Sequence, residues 1–540
     1  MRSQTHSLSQ TFSRSLAAQP TLWAFVIILL TFAVRVAYVA SGQVTLVQDE
    51  AQYWDWTRHL QLTYYSKGPL IAWIIHFWTN IFGDTELGVR FGSISGSVLT
   101  QIILYLGIAK LWKQPRVALW TLFIYNTTVL FSGLSILMTT DNPFTLAWTS
   151  SLFLLSIGSR PLPSQRAPWW PFLLLSVVFG LGVLAKYTML GFIGLAGLYW
   201  LILLRQRACP KGFFLRLATA LALGLFLGFL PTLIWNMQND FVGYKHVLHL
   251  IGASGKEAKH LFDLQRVPEH LLAQIGLVLP WWLYFMFDGS CRALRLSFRR
   301  RPPEDRTEIE ERKRAALLVV LFLPVWVFFL LWSFHAKIMP NWTTVSYVSG
   351  CILAARAIDR ALQRRDGFLQ RHCNLLPALG VVLFLFLHTA QLLPLPSNMD
   401  PTRRVKGWRE LGQVIEEHRL HDFSDPSKVF IFSNLYDMTA ALAFYTPGQP
   451  QTYCGWVDSR RMNQYDLWPG PDVDKVGWDA IYVYKEFEDS PSQDVRKMFE
   501  SYSDPIYVQT TYHGVEARKF TLFLCRGYNG YWPKRHNQKF

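Results

Sequence analysis

Two adjacent acids, Asp49 and Glu50, lie just beyond an apolar run long enough to cross a bilayer. Lys67 follows in the same loop, between Tyr64-Tyr65 and Gly68-Pro69. A carboxylate held beside a hydroxyl can take its proton as general base. An ammonium can balance the charge on a phosphate, including one that departs during a transfer reaction. Both residues also have plainer uses. Asp49 stands where a cap would stand for a helix beginning near Ala51, and Lys67 could snorkel at a membrane surface. A lysine set between an aromatic pair and a Gly-Pro break is nevertheless poorly explained as a solvated charge. Tyr53 and Tyr65 share the loop and are candidates for positioning a substrate.

Other charged residues recur close to apolar segments. Arg90, Lys186 and Lys337 are cations that singly would read as anchors and together read as a phosphate-binding rim. Asp141, in Met138-Thr139-Thr140-Asp141-Asn142-Pro143, either caps the span it begins or faces Asp49 across a cavity. Arg35 falls inside the first span, where a charge is expensive without a partner, so a loop carboxylate is expected beside it. His246 and His249 would share a helical face, but a metal needs further ligands. Ordinary surface histidines are the alternative, and no metal site is assigned.

The elements that must carry these groups are set by composition. The 540 residues are 51% hydrophobic and only 17% charged. The apolar residues come in runs of about 17–22, the length that crosses a bilayer core. About eleven spans are expected, at residues 21–40, 92–111, 117–136, 142–158, 169–186, 188–204, 213–235, 269–288, 315–333, 341–358 and 374–394. The first is read as an uncleaved signal anchor. A formal charge of +16 could suggest nucleic acid, but the cations follow the positive-inside rule instead. Lys110, Lys113 and Arg116, Arg160 and Arg166, Arg205, Arg207 and Lys211, Arg299–Arg301 with Arg312–Arg314, and Arg360, Arg364, Arg365 and Arg371 all occupy alternate connections. That side, with the N-terminal tail, is expected in the cytoplasm. The candidate chemistry falls on the other, where nucleotide-phosphate loops are not expected and none is found.

Three regions follow: a cytoplasmic tail at 1–20, a membrane domain at 21–394 that includes the loop 41–91, and an extracytoplasmic α/β domain at 395–540. Within the loop, 51–60 and 70–82 are expected as helices lying in the membrane interface. Loop 236–268, with Gly252, Ser254 and Gly255, is either a lid or a passive connection. In the last region, helical spacing covers 405–419 and 438–444, and strands are expected at 428–433, 480–484 and 520–524. Cys454 and Cys525 either form a bridge there or remain buried thiols.

Asp49-Glu50 with Tyr53, then Tyr64 to Leu70, then Phe82-Gly83 with Arg90, resembles the first loop of bacterial lipid-linked sugar transferases of the GT-C fold. These include the lipid A aminoarabinose transferases and bacterial relatives of the protein O-mannosyltransferases. The resemblance covers roughly residues 20–390. It implies an inverting transfer of a monosaccharide from a polyprenyl-phosphate donor to a lipid, glycan or protein acceptor. The enzyme would sit in a bacterial inner membrane with its site outside the cytoplasm. It would need no cofactor, a divalent metal being the minor alternative.

Asp49 matches the family's base and Glu50 its neighbour, Lys67 the lysine on the donor phosphate, and Asp141 a second important aspartate. Where the aminoarabinose enzymes carry Glu before that lysine, this chain has Ser66, which speaks against a metal site there and against aminoarabinose as the sugar. A transporter or flippase of a lipid-linked saccharide is the alternative. It would place its site nearer the bilayer midplane.

Overall fold

The computed structural model describes residues 19–250, 264–301, 303–364, 375–392, 405–457, 460–471, 473–512 and 514–533. The tail residues Arg2 and Arg14, the glycine-containing stretch Gly252–Gly255, Arg365 and Arg371 lie outside them. The chain divides into two compact units. A helical unit comprises 1–36, 91–233 and 255–388. A sheet-bearing unit comprises 37–90, 234–254 and 389–540.

In the helical unit a helix occupies each place where a span was expected, but not all are unbroken. Five helices among the described residues are long and apolar enough to cross a membrane: Pro20–Ala40, Glu86–Leu111, Tyr187–Arg205, Phe213–Gln238 and Arg306–Trp332. The expected span 117–136 is split into Pro115–Thr127 and Val129–Leu134, because Thr128 is extended and its hydroxyl caps the second piece at Phe131 N–H, 3.4 Å away. The expected span 269–288 is likewise two helices, Arg266–Val278 and Pro280–Ser297, bent by 98°. Leu279 joins them at φ 77°, ψ 142°. The residue before a proline is driven out of the α region, and Pro280 is well placed as the first residue of a new helix.

The basic connections meet at one end of this unit. Arg116 pairs with Asp359 at 2.9 Å, and Arg314 donates to the Trp112 carbonyl at 3.2 Å. Lys313 donates to the carbonyls of Ser159 and Pro161 at 2.6 and 2.9 Å. Gln206 donates to the Ser297 carbonyl, and Ala167 N–H to that of Lys211. The helix Asp141–Ser159 runs about 28 Å at 1.5 Å per residue, so Asp141 lies at the opposite end from Lys313. The side-by-side sorting of cations read from the sequence is thus a physical gathering.

In the sheet-bearing unit, β1 (Val429–Ser433), β2 (Thr452–Cys454), β3 (Asp479–Lys485), β4 (Phe499–Tyr502), β5 (Ile506–Tyr512) and β6 (Val515–Tyr528) form one mixed sheet. Its order is β2-β1-β3-β6-β4, with β5 also pairing along the long β6. β1 is parallel to both β2 and β3, and the pairings of β6 are antiparallel. Every residue of β1 is buried, as expected of a central strand covered on both faces. One face is an aromatic core of Phe430, Phe432, Tyr482, Phe499 and Phe523.

Cys454 and Cys525 are both buried free thiols. They lie on β2 and β6, three strand spacings apart, or about 14 Å. A disulfide needs Cα atoms within about 7 Å.

Candidate active site

The first loop builds its site from two helices and a turn. Gln48–Thr57 starts at the extended Val47, whose N–H is taken by the Glu50 carboxylate at 2.9 Å. The capping role open to the acid pair therefore falls at least to Glu50. Arg90 meets the same carboxylate as a fork, Nε to Oε1 at 2.9 Å and Nη2 to Oε2 at 2.6 Å. Its remaining donors reach the carbonyls of Val44 and Thr45 at 3.2 and 2.8 Å. Both side chains are 0% exposed. Arg90 thus closes the loop from Val44 onward, and neither it nor Glu50 opens to a ligand. Asp49, one residue earlier, is exposed. Burial and then the charges of Asp49 and Asp437 push the Tyr436 hydroxyl up to about 12, so Asp49 has Tyr436 as a neighbour.

Lys67 is half-buried at the end of a closed turn. Its carbonyl accepts from Tyr64 N–H at 3.3 Å and from the Thr63 hydroxyl at 3.2 Å. Tyr64 stacks on Trp56 with ring centres 4.2 Å apart and donates to the Trp56 carbonyl at 3.0 Å. Tyr65 lies on His246 at 4.4 Å, and its N–H donates to Gln464 Oε1 at 2.7 Å. Tyr53, in contact with Trp56, and Tyr65 are both buried, so the two positioning candidates act from within the packing.

The helix Gln48–Thr57 differs from the expectation of an interfacial helix. Its residues 50–56 are all buried, and Trp54 packs edge-on against Phe444 at 4.8 Å. Asp55 accepts from the Tyr465 hydroxyl at 2.6 Å. The aromatics are spent on the C-terminal domain, not on the headgroup region. Leu70–Phe82, by contrast, exposes Phe77, Ile81 and Phe82, in keeping with a surface-lying helix.

Asp141, Lys186 and Lys337 belong to the helical unit. Asp141 is buried at the first position of its helix. Its two oxygens take Lys186 Nζ at 2.7 Å and Asn341 Nδ2 at 2.7 Å. Lys186 also lies 5.9 Å from the Phe144 ring. Lys337 reaches Glu269 at 3.4 Å, with side chains 72% and 62% exposed, a surface pair of little energetic weight.

Arg35 corrects an expectation. It has no loop carboxylate but donates to Asn126 Oδ1 at 2.7 Å and Ser97 Oγ at 3.3 Å, both from neighbouring helices. Neutral side-chain acceptors inside the bundle satisfy the guanidinium.

His246 is pushed down to about 4 by burial and by Lys67, His249 and Arg461. No cluster of three or more His, Cys, Asp or Glu side chains suited to a metal occurs among the described residues. Sequence reasoning missed Asn341, Gln464 and Tyr465. Each is an ordinary polar residue in a segment without a motif, and only the fold brings it to its partner.

These features define a GT-C fold of the ArnT and protein-mannosyltransferase type. Superposed on ArnT from Cupriavidus metallidurans bound to undecaprenyl phosphate, the chain gives a TM-score of 0.61 over 93% of its own length and 98% of that chain, at 16% identity. The apo form of the same protein gives 0.59. Residues 66–235 match the family described as dolichyl-phosphate-mannose-protein mannosyltransferase. The chain is 28% identical over 308 residues to lipid A galacturonosyltransferase RgtD of Rhizobium johnstonii, covering 57% of this chain and 59% of that protein. It is 31% identical over 138 residues, 24% of each chain, to the undecaprenyl phosphate-α-4-amino-4-deoxy-L-arabinose arabinosyl transferase of Pseudomonas aeruginosa. The chain thus spans about three-fifths of the first of these relatives and a quarter of the second.

Proposed function

We propose that this chain is a membrane glycosyltransferase that moves a monosaccharide from a polyprenyl-phosphate donor to an extracytoplasmic lipid, glycan or protein, with inversion. The observation that carries the reading is a division of labour in one braced loop. Glu50 and Arg90 are sealed against each other, while the adjacent Asp49 is exposed and Lys67 is half-buried on a fixed turn. The ArnT fold, solved with undecaprenyl phosphate, and two relatives whose names specify sugar transfer add support. Those relatives name different sugars, so the proposal stops at a monosaccharide.

In the reaction the acceptor oxygen attacks the anomeric carbon and Asp49 takes its proton. The bond from that carbon to the phosphate oxygen breaks on the opposite face, and the lipid phosphate leaves with the bonding pair. Lys67 balances the charge that grows on it. Glu50 and Arg90 act by holding the loop. In the helical unit, Asp141 and Asn341 fix Lys186, whose charge makes it the second candidate for an anionic group.

Mass spectrometry of surface lipids, glycans and proteins from cells with and without the chain tests this. A difference of one sugar mass on one of them, lost with Asp49→Asn, is the expected result. Unchanged spectra, or full turnover by Asp49→Asn, would sink it.

A further inference from the structure

The segment 460–466 belongs by chain order to the C-terminal domain, yet much of its bonding is directed at the first loop. It is rigid from within. Arg460 forks onto Asp466 at 2.5 and 2.8 Å and donates to the carbonyls of Gly455, Cys454 and Arg461 at 2.9, 3.1 and 3.0 Å. Asp466 also accepts from Asn463 N–H at 2.8 Å, and the Asn463 side chain accepts from Tyr465 N–H at 2.9 Å.

A backbone fixed this way presents its side chains in set directions. Met462 packs with Tyr65, Trp235 and Val242. Gln464 takes the N–H of Tyr65, two residues before Lys67. Arg461 stays exposed beside Met462. Tyr65 in turn carries His246, and the charges acting on that ring are Lys67, His249 and Arg461, all cations. Gathering like charges costs stability through self-repulsion. Such a cluster is accounted for when an anion is what it meets.

We infer that segment 460–466 completes the anion site at Lys67. Arg461 supplies a second fixed cation for phosphate oxygens, and Gln464, through the Tyr65 N–H, sets where the Lys67 turn stands. Gln464 is a positioning residue, and Arg461 is a ligand-contacting one. The inference rests on the reading of Lys67 as the donor-phosphate lysine.

The test is a titration of the purified full-length chain with undecaprenyl phosphate, read by native mass spectrometry, with inorganic phosphate as competitor. Arg461→Gln is expected to weaken binding roughly tenfold, the scale of one charge-assisted hydrogen bond, and Arg461→Lys to recover most of it. Added salt is expected to narrow the gap between the parent and Arg461→Gln, which a merely structural loss would not do. Gln464→Leu is expected to weaken binding as well, and Gln464→Glu, which keeps an acceptor oxygen, to restore it. Competition by inorganic phosphate that disappears in Arg461→Gln identifies the bare oxyanion as what Arg461 meets. Weakening without such competition identifies the lipid-borne ester.

Unchanged binding in Arg461→Gln, alongside lost binding in Lys67→Ala, overturns the inference and leaves the donor reading standing. Unchanged binding in Lys67→Ala strikes the donor reading itself. Arg461 is exposed, so its variants test the idea even where a Gln464 variant fails to fold.

Discussion

At the scale of single residues, Glu50 and Arg90 behave as a unit that Asp49 does not share. Removing one partner of a fully buried, forked ion pair strands the other charge, at about 3–5 kcal/mol. Glu50→Gln and Arg90→Ala are each expected to lower the midpoint of denaturant unfolding in detergent by that much. Asp49→Asn, at an exposed position, is expected to leave the midpoint within about 0.5 kcal/mol of the parent while abolishing transfer. His246 gives a second test at this scale. Its folded pKa of about 4 lies below the ordinary value of 6.5, so the unfolded chain binds the proton more readily between the two. Stability from this group is present above pH 6.5 and is lost as pH falls toward 4. His246→Phe is expected to flatten that part of the stability profile, measured as midpoint against pH.

At the scale of elements, most helices were legible and their breaks were not. Apolar runs reveal length, and they placed a helix at all of the expected positions. They do not report a backbone angle at one residue, so Thr128 and Leu279 passed unnoticed inside continuous hydrophobic stretches. Leu279 holds a φ that favours glycine. Leu279→Gly is expected to be neutral or to stabilise by about 1 kcal/mol, whereas the β-branched Leu279→Val destabilises, as read by thermal unfolding. The candidate site divided the same way. Asp49 and Lys67 announce themselves by type and setting. Asn341, Gln464 and Tyr465 matter through pairings across 200, 399 and 410 residues, which no local pattern encodes. Tyr465→Phe removes the donor from the buried Asp55 and is expected to cost about 2 kcal/mol, again by denaturant midpoint.

At the scale of the whole molecule, the loop read as part of a membrane domain is grouped with residues 234–254 and the C-terminal region. The C-terminal domain is therefore a wall of the candidate site and no appendage to it. A chain ended at residue 394 is expected to leave the first loop open to limited proteolysis, with cleavage between residues 41 and 91 that the intact chain resists. Cys454 and Cys525 give a simpler check, since both should alkylate only after unfolding, with the same stoichiometry in the presence and absence of reductant.

The bond between Asp55 and Tyr465 also sets a clock. At about 5–20 residues per second, the ribosome delivers Tyr465 roughly 20–80 s after Asp55. Throughout that interval the Trp-rich face of residues 50–56 has no native cover. Newborn chains must spend it sheltered by another protein or by the lipid surface, and a stalled ribosome leaves a half-made enzyme ready for a protease.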